Sequence, residues 1–239
     1  MPAAPKRGAR RILAIDIGGT GLKAALVSPA GKFLSERLRV ETPSRPTPGH
    51  VIKALVALVA PLKAYDHVSI GFPGAVRAGV VLTAPNLGTK AWAGCALAAL
   101  MQAKLGKPVR LNNDADIQGL AAIRGKGLEL VCTLGTGLGT AWFRDGELMP
   151  HMDLAHMAIR PRDDFDKYVG DHTRKKIGHK SWNRRVGKLV EMLTLVFHYD
   201  RLYLGGGNAR RIDIALPDNV SIISNDAGME GSAFVWRIG

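Results

Sequence analysis

The sequence predicts an α/β protein built from two related lobes, and three observations carry that prediction. An apolar strand over 12–17, a turn at Gly18-Gly19-Thr20-Gly21 and a second strand over 22–27 open the chain. The same pattern returns over 129–134, Gly135-Thr136-Gly137-Leu138-Gly139 and 140–143. Hydrophobic residues make up 46% of 239 residues, enough for a packed core in one large unit or two modest ones.

Each element follows from local pattern. Residues 12–17 are apolar except for Asp16, as in a buried strand. Pro29-Ala30-Gly31 signals a turn and 33–40 a third strand, so a three-stranded meander starts the fold. Three prolines mark 42–49 as a loop, and apolar spacing predicts a helix over 50–63. A strand over 68–72 runs into Pro73-Gly74. A helix over 95–105, a strand over 108–111 and a helix over 115–124 follow, the last preceded by the cap-forming run Asn112-Asn113-Asp114. After the second strand pair, Asp145-Gly146 predicts a hairpin. The polar stretch 161–181 reads as a loop with short helices. Trp182, Val186, Leu189, Leu193 and Val196 fall at helical spacing. Strands over 201–204 and 220–223 and a helix from Asp226 or Ala227 to Trp236 end the chain. Gly228 and Gly231 in that helix predict close packing or close approach to a ligand. The expected organisation is a flexible basic tail over 1–11, an N-terminal lobe over 12–111 with the 227–239 helix packing back on it, and a C-terminal lobe over 112–226.

Composition narrows the function. Cys95 and Cys132 lie in separate apolar runs and form no CxxC or Cys/His cluster, so buried free thiols are expected rather than a zinc site or a disulfide framework. No apolar stretch approaches the ~20 residues of a membrane span, and the basic start lacks a signal-peptide centre, so a cytoplasmic location is expected. The net charge of +13 favours anionic partners. The densest cluster, Arg174, Lys175, Lys176, Lys180, Arg184, Arg185 and Lys188, is either a polyanion surface or a solvated helix face. No RNA-binding motif accompanies the charge, so a nucleic-acid partner is not expected.

The two glycine turns carry the chemistry. Glycines let main-chain N–H groups approach phosphate oxygens. Neither turn is a P-loop or opens a βαβ unit; each joins two strands, as a phosphate clamp or as a plain hairpin. Asp16 ends a buried strand and needs a partner: a magnesium ion beside the phosphates, or the adjacent turn. Lys23 either reaches a phosphate or is a solvated lysine. Asn113 and Asp114 follow a strand and start a helix, at the sheet edge where α/β proteins bind ligands. Asp114 is then either a helix cap or a carboxylate that accepts a hydroxyl proton during phosphoryl transfer. Asp153 and His156, three residues apart, either share a ligand or are structural.

Together these segments resemble the ROK family of sugar kinases. Ile15-Asp16-Ile17-Gly18-Gly19-Thr20-Gly21-Leu22-Lys23 is similar to that family's first phosphate motif, in the form of its polyphosphate glucokinase branch. Gly71-Phe72-Pro73-Gly74, Asn86-Leu87 with Trp92, Asn113-Asp114-Ala115-Asp116, Leu134 to Gly139 and Leu204-Gly205-Gly206-Gly207-Asn208 resemble its later motifs in order. The resemblance implies an actin-like fold of two ribonuclease-H-like lobes with a sugar in the cleft. It implies transfer of a phosphoryl group from polyphosphate or ATP to a hexose, usually the 6-hydroxyl of glucose, with Asp114 as base. Asn86, Asn113, Asp153 and His156 would contact the sugar. Gly18, Gly19, Thr20, Lys23, Gly135, Thr136, Gly137, Gly139, Gly205, Gly206, Gly207 and Asn208 would hold the donor, with magnesium near Asp16. A homodimer is implied by the resemblance alone. The sequence departs from the family at Asp153-Leu154-Ala155-His156, where the usual pattern is Glu-x-Gly-His. The shorter carboxylate and the added methyl change the hydrogen-bond geometry that discriminates sugar hydroxyls. The family's cysteine-rich zinc motif is absent, as in the polyphosphate branch, and the carboxylate that commonly follows it has no clear counterpart. A non-catalytic sugar sensor is the competing expectation. Only eleven residues precede Ile12, too few for the DNA-binding module such sensors carry, and Asp114 is intact.

Overall fold

A computed structural model describes residues 10–161, 163–224 and 227–237. The expected tail up to residue 9, and Asp226 as a helix start, lie outside them. The chain divides into two units, one reaching Ile117 and including Met229–Arg237, the other spanning Gln118–Gly228. The division falls later than the expected 111/112 boundary, so Asn113 and Asp114 belong to the first unit.

The first unit contains β1 (Ile12–Ile17), β2 (Gly21–Val27), β3 (Leu38–Glu41), α1 (Pro48–Val59), β4 (His67–Phe72), a small hairpin of β5 (Val76–Arg77) and β6 (Val80–Val81), α2 (Thr89–Trp92), α3 (Leu97–Leu105), β7 (Val109–Asn113) and the start of α4 (Asp114–Ala122). Its sheet has the order β3-β2-β1-β4-β7, antiparallel through β1, β2 and β3 and parallel through β1, β4 and β7. β1 is apolar on both faces because both are covered. Leu13, Ile15 and Ile17 join a core with Val51, Leu55, Leu97 and Met101, while Ile12 and Ala14 pack with Ala25, Val27, Met229 and Ala233.

Two expectations fail here for local reasons. The third strand does not run from 33 to 40. Phe33 makes only an isolated bridge to Val27, and the Leu26 N–H donates to the Ser35 hydroxyl, so a side chain takes the place of the main-chain ladder. The C-terminal helix is α-helical only as α8 (Ala227–Glu230) and tightens to a 3₁₀ turn over Gly231–Trp236. There Ser69 donates to the Ser232 carbonyl and Arg110 to the Val235 carbonyl, replacing helical partners. Close packing is found at Gly231, against the Ile117 main chain, but Gly228 has open space.

The second unit contains β8 (Leu128–Leu134), β9 (Leu138–Arg144), β10 (Glu147–Leu148), β11 (Ala158–Arg160), β12 (Asp163–Asp164), α5 (Phe165–Val169), α6 (Asp171–Ile177), α7 (His179–Phe197), β13 (Arg201–Gly205) and β14 (Val220–Ile222). Its sheet, β10-β9-β8-β13-β14, repeats the first: three antiparallel strands, then two added in parallel. Trp182, Val186, Leu189 and Leu193 of α7 pack on Leu130, Cys132 and Leu134. Val196, expected on that buried stripe, is instead 59% exposed, and in the last turn of the helix Phe197 packs against Trp142. Burial pushes the Cys132 thiol up to about 12, whereas Cys95 is only partly buried. Among the described residues no helix is long and apolar enough to cross a membrane.

Candidate active site

In the first unit the strand ends set the site. The parallel register places Asp16 of β1 beside Gly71 of β4, and Gly71 beside Asn112 of β7. Two strand spacings, roughly 10 Å, thus separate the Asp16 backbone from the segment leading to Asp114. The turn between β1 and β2 is closed by the Gly18 N–H donating to the Gly21 carbonyl at 2.9 Å. The Thr42 hydroxyl donates to the Gly18 carbonyl at 2.6 Å, and the Thr42 N–H reaches the Thr20 carbonyl at 3.5 Å. The turn's carbonyls therefore face the protein, and among the described residues the N–H groups of Gly19 and Thr20 donate to no protein acceptor. The partner of Asp16 is Lys23, opposite it on β2, with Nζ 2.8 Å from Oδ2. Asn86 is exposed and stands beside this turn: a Cβ on Gly19 would lie 3.3 Å from the Asn86 Cβ. Trp92, grouped with Asn86 by sequence, is a buried anchor whose indole donates to the Pro46 carbonyl.

At the start of α4, capping falls to Asn113. Its buried side chain accepts from the Ala115 N–H at 2.7 Å and donates to the Gly74 carbonyl at 3.0 Å. Asn113 is thus committed first to holding the backbone. Asp114 is exposed, and one of its oxygens also accepts from the Ala115 N–H, at 2.9 Å. Its place beyond the parallel strands suits a proton acceptor.

The second unit holds its glycine turn more heavily. The Gly135 carbonyl accepts from the Asn208 side chain at 3.0 Å and from the Asp171 N–H at 3.1 Å, and the Thr136 carbonyl accepts from the same N–H. The Leu138 N–H donates to Asp166 at 2.9 Å. Asn208 N–H also donates to the Leu134 carbonyl, so the Gly205-Gly206-Gly207-Asn208 turn lies directly on the first. Gly206 makes this possible: its φ is +83°, and a Cβ there would stand 2.5 Å from the Leu134 carbonyl oxygen. Gly139 is not in the turn; it pairs with Thr133 inside the ladder. Asp166 and Asp171 escape a sequence reading, because they act on main-chain groups about thirty residues earlier from a stretch with no periodicity.

Asp153 and His156 sit together across a 3₁₀ turn, His156 Nε2 3.7 Å from Asp153 Oδ2. Asp153 also caps the turn through the Ala155 N–H, and Thr140 ties the segment to β9 by donating to the Met152 carbonyl.

The basic cluster is mostly engaged. Lys175 and Arg174 pair with Asp171 and hold its carboxyl down at about 2. Arg185 lies over Tyr168 and donates to its carbonyl, Lys188 pairs with Glu191, and Arg184 donates to Ser181. Lys176 and Lys180 have no ion-pair partner among the described residues.

Comparison with known proteins bears on the family and the fold. A sequence profile described as the ROK family matches residues 12–158. The polyphosphate glucokinase of Mycobacterium tuberculosis is 30% identical over 235 residues, covering 92% of this chain and 88% of that protein. The crystal structure of the inorganic polyphosphate/ATP-glucomannokinase from Arthrobacter sp. strain KM superposes with a TM-score of 0.84 at 34% identity, covering 95% of this chain and 98% of that one. A ROK family glucokinase from Streptomyces griseus, solved with glucose and AMPPNP, matches in fold with a TM-score of 0.77 at 20% identity, covering 95% of this chain and 99% of that one. The fold is the α/β, actin-like, two-lobed fold of these kinases.

Proposed function

The chain belongs to the ROK family and is a sugar kinase, and from that premise we propose that it phosphorylates a hexose, glucose first, at the 6-hydroxyl, using polyphosphate or ATP. The observation that carries the reading is Asp114. It is an exposed carboxylate beyond the parallel strands, at a helix start whose capping is carried by Asn113.

In this reading Asp114 accepts the proton of the sugar hydroxyl as that oxygen attacks the terminal phosphorus. The bond from that phosphorus to the rest of the donor breaks, and the donor leaves shortened by one phosphate. Asn86, Asn113, Asp153 and His156 are the candidate residues for contacting the sugar. The N–H groups of both glycine turns, with Lys23 and Asn208, hold donor phosphates. Asp16 is a hard oxygen donor beside the first turn, which suits a magnesium ion carried in by the phosphates. Among the described residues no cluster of three or more His, Cys, Asp or Glu side chains would hold a metal by itself. When bound, magnesium would offset phosphate charge.

Polyphosphate is supported as a donor by similarity to enzymes named for it. It is also supported by Lys176 on α6, whose first residue Asp171 bonds to the second turn, and by Lys180 on α7, which follows α6. The reading carries a cytoplasmic homodimer, which sedimentation at working concentration tests for its oligomeric part. The direct test is initial rates with glucose and mannose, each against polyphosphate and ATP, at low and high salt. Glucose phosphorylation that weakens with salt when polyphosphate is the donor is expected. No turnover of either hexose with either donor would end the proposal.

A further inference from the structure

We infer that Arg39 is a phosphate-binding residue of the first glycine turn, a role that rests on the kinase reading for its donor and on geometry for its place. The register sets Asp16 opposite Lys23 and Lys23 opposite Arg39, so the three side chains form one row across β1, β2 and β3 on one face of the sheet. Further from the turn, that same face is apolar: Ile12, Ala14, Ala25 and Val27 lie under the C-terminal segment. The face changes from apolar to charged as it approaches the turn.

The row holds two cations and one carboxylate. Directly opposed like charges destabilise a sheet. Lys23 is offset by Asp16, but Arg39 is exposed and has no ion-pair partner among the described residues. A charge on an edge strand often serves only to deter pairing with another chain, and such a side chain extends into water. Arg39 instead folds back along the sheet. Its Nε and Nη2 lie 3.0 and 3.1 Å from where a Cβ on Gly21 would stand. Gly21 is the residue whose carbonyl closes the glycine turn, and it is buried beneath this guanidinium. Glycine at 21 therefore makes room for a planar, permanently charged donor group beside main-chain N–H groups that have no protein acceptor. A guanidinium binds a phosphate through two parallel hydrogen bonds. The ligand is a phosphate oxyanion, from a polyphosphate chain or a nucleoside triphosphate.

The test compares the full-length wild type with Arg39→Ala, Arg39→Lys and, as a control for net charge, Lys53→Ala on the exposed side of α1. Two readouts are taken: initial rates against polyphosphate and against ATP at saturating glucose, and calorimetric binding of tripolyphosphate without sugar. Arg39→Ala is expected to weaken tripolyphosphate binding and raise donor KM roughly tenfold, with kcat and the glucose KM unchanged. Arg39→Lys should recover part of the loss, and Lys53→Ala should behave as wild type. A rise for polyphosphate alone or for ATP alone identifies the source of the phosphate. Wild-type affinity and donor KM in Arg39→Ala, an equal loss in Lys53→Ala, or no tripolyphosphate binding by the wild type would overturn the inference. If no hexose is phosphorylated while Arg39→Ala still loses tripolyphosphate binding, the kinase reading fails and the phosphate site stands.

Discussion

The two units share one sheet plan and one device, a glycine turn between the first two strands, yet they hold that device differently. In the first unit a single residue, Thr42, secures the turn's carbonyls, and charged side chains surround it: Asp16, Lys23 and Arg39 along one row, with Asp114 beyond the neighbouring strands. In the second unit Asp166, Asp171 and Asn208 secure the turn, and a second glycine turn lies on it. A lightly held turn ringed by charged side chains suits changing contacts with a reacting group. A heavily held one suits a fixed cradle. Duplicated topology therefore does not imply duplicated chemistry.

The contrast makes stability predictions. Gly206→Ala forces a side chain into a positive-φ position and against the Leu134 main chain, and should cost about 2–4 kcal/mol in urea unfolding. A loss below about 0.5 kcal/mol would mean that the second turn is not rigidly clamped. Asp171→Asn should cost about 1 kcal/mol near neutral pH, allowing for screening at a partly exposed site. The folded-state pKa of Asp171, about 2, lies below its ordinary value of 3.8, so its contribution is full above about pH 4 and is lost as pH falls towards 2. Unfolding curves of variant and wild type should converge over that window; a gap that persists at pH 2 would assign the effect to packing rather than charge. Thr42→Val should cost the least, about 1 kcal/mol or below, because it removes one hydrogen bond to a turn carbonyl. A loss as large as that of Gly206→Ala would erase the difference between the two turns.

The repeat itself was legible in the sequence. Apolar strands bounded by Gly and Thr need no distant information, and the order of elements from 12–27 and 129–143 follows from pattern alone. What escaped depends on partners remote in sequence. Ser35 ends the expected third strand by bonding to Leu26, and Trp92 is a core anchor because Pro46 supplies its acceptor. The tightened C-terminal turn needs Ser69 and Arg110 from other strands. Within the site, the positions of Asp16, Asn113 and Asp114 at strand and helix ends, and of Gly18, Gly19 and Gly135 to Gly137 in turns, were legible from motif, whereas Gly139 lies in the ladder. The roles of Asp166, Asp171 and Arg39 were not legible: the first two act on main-chain atoms from a featureless polar stretch, and the third is placed by strand register.

Asp114, not a group of the second unit, is the proposed acceptor of the hydroxyl proton. The most direct measurement is kcat for hexose phosphorylation by Asp114→Asn, with circular dichroism to show that the fold is retained. The account predicts a fall in kcat of about 10²- to 10⁴-fold, with the donor KM little changed. Wild-type kcat in a folded Asp114→Asn protein would contradict it.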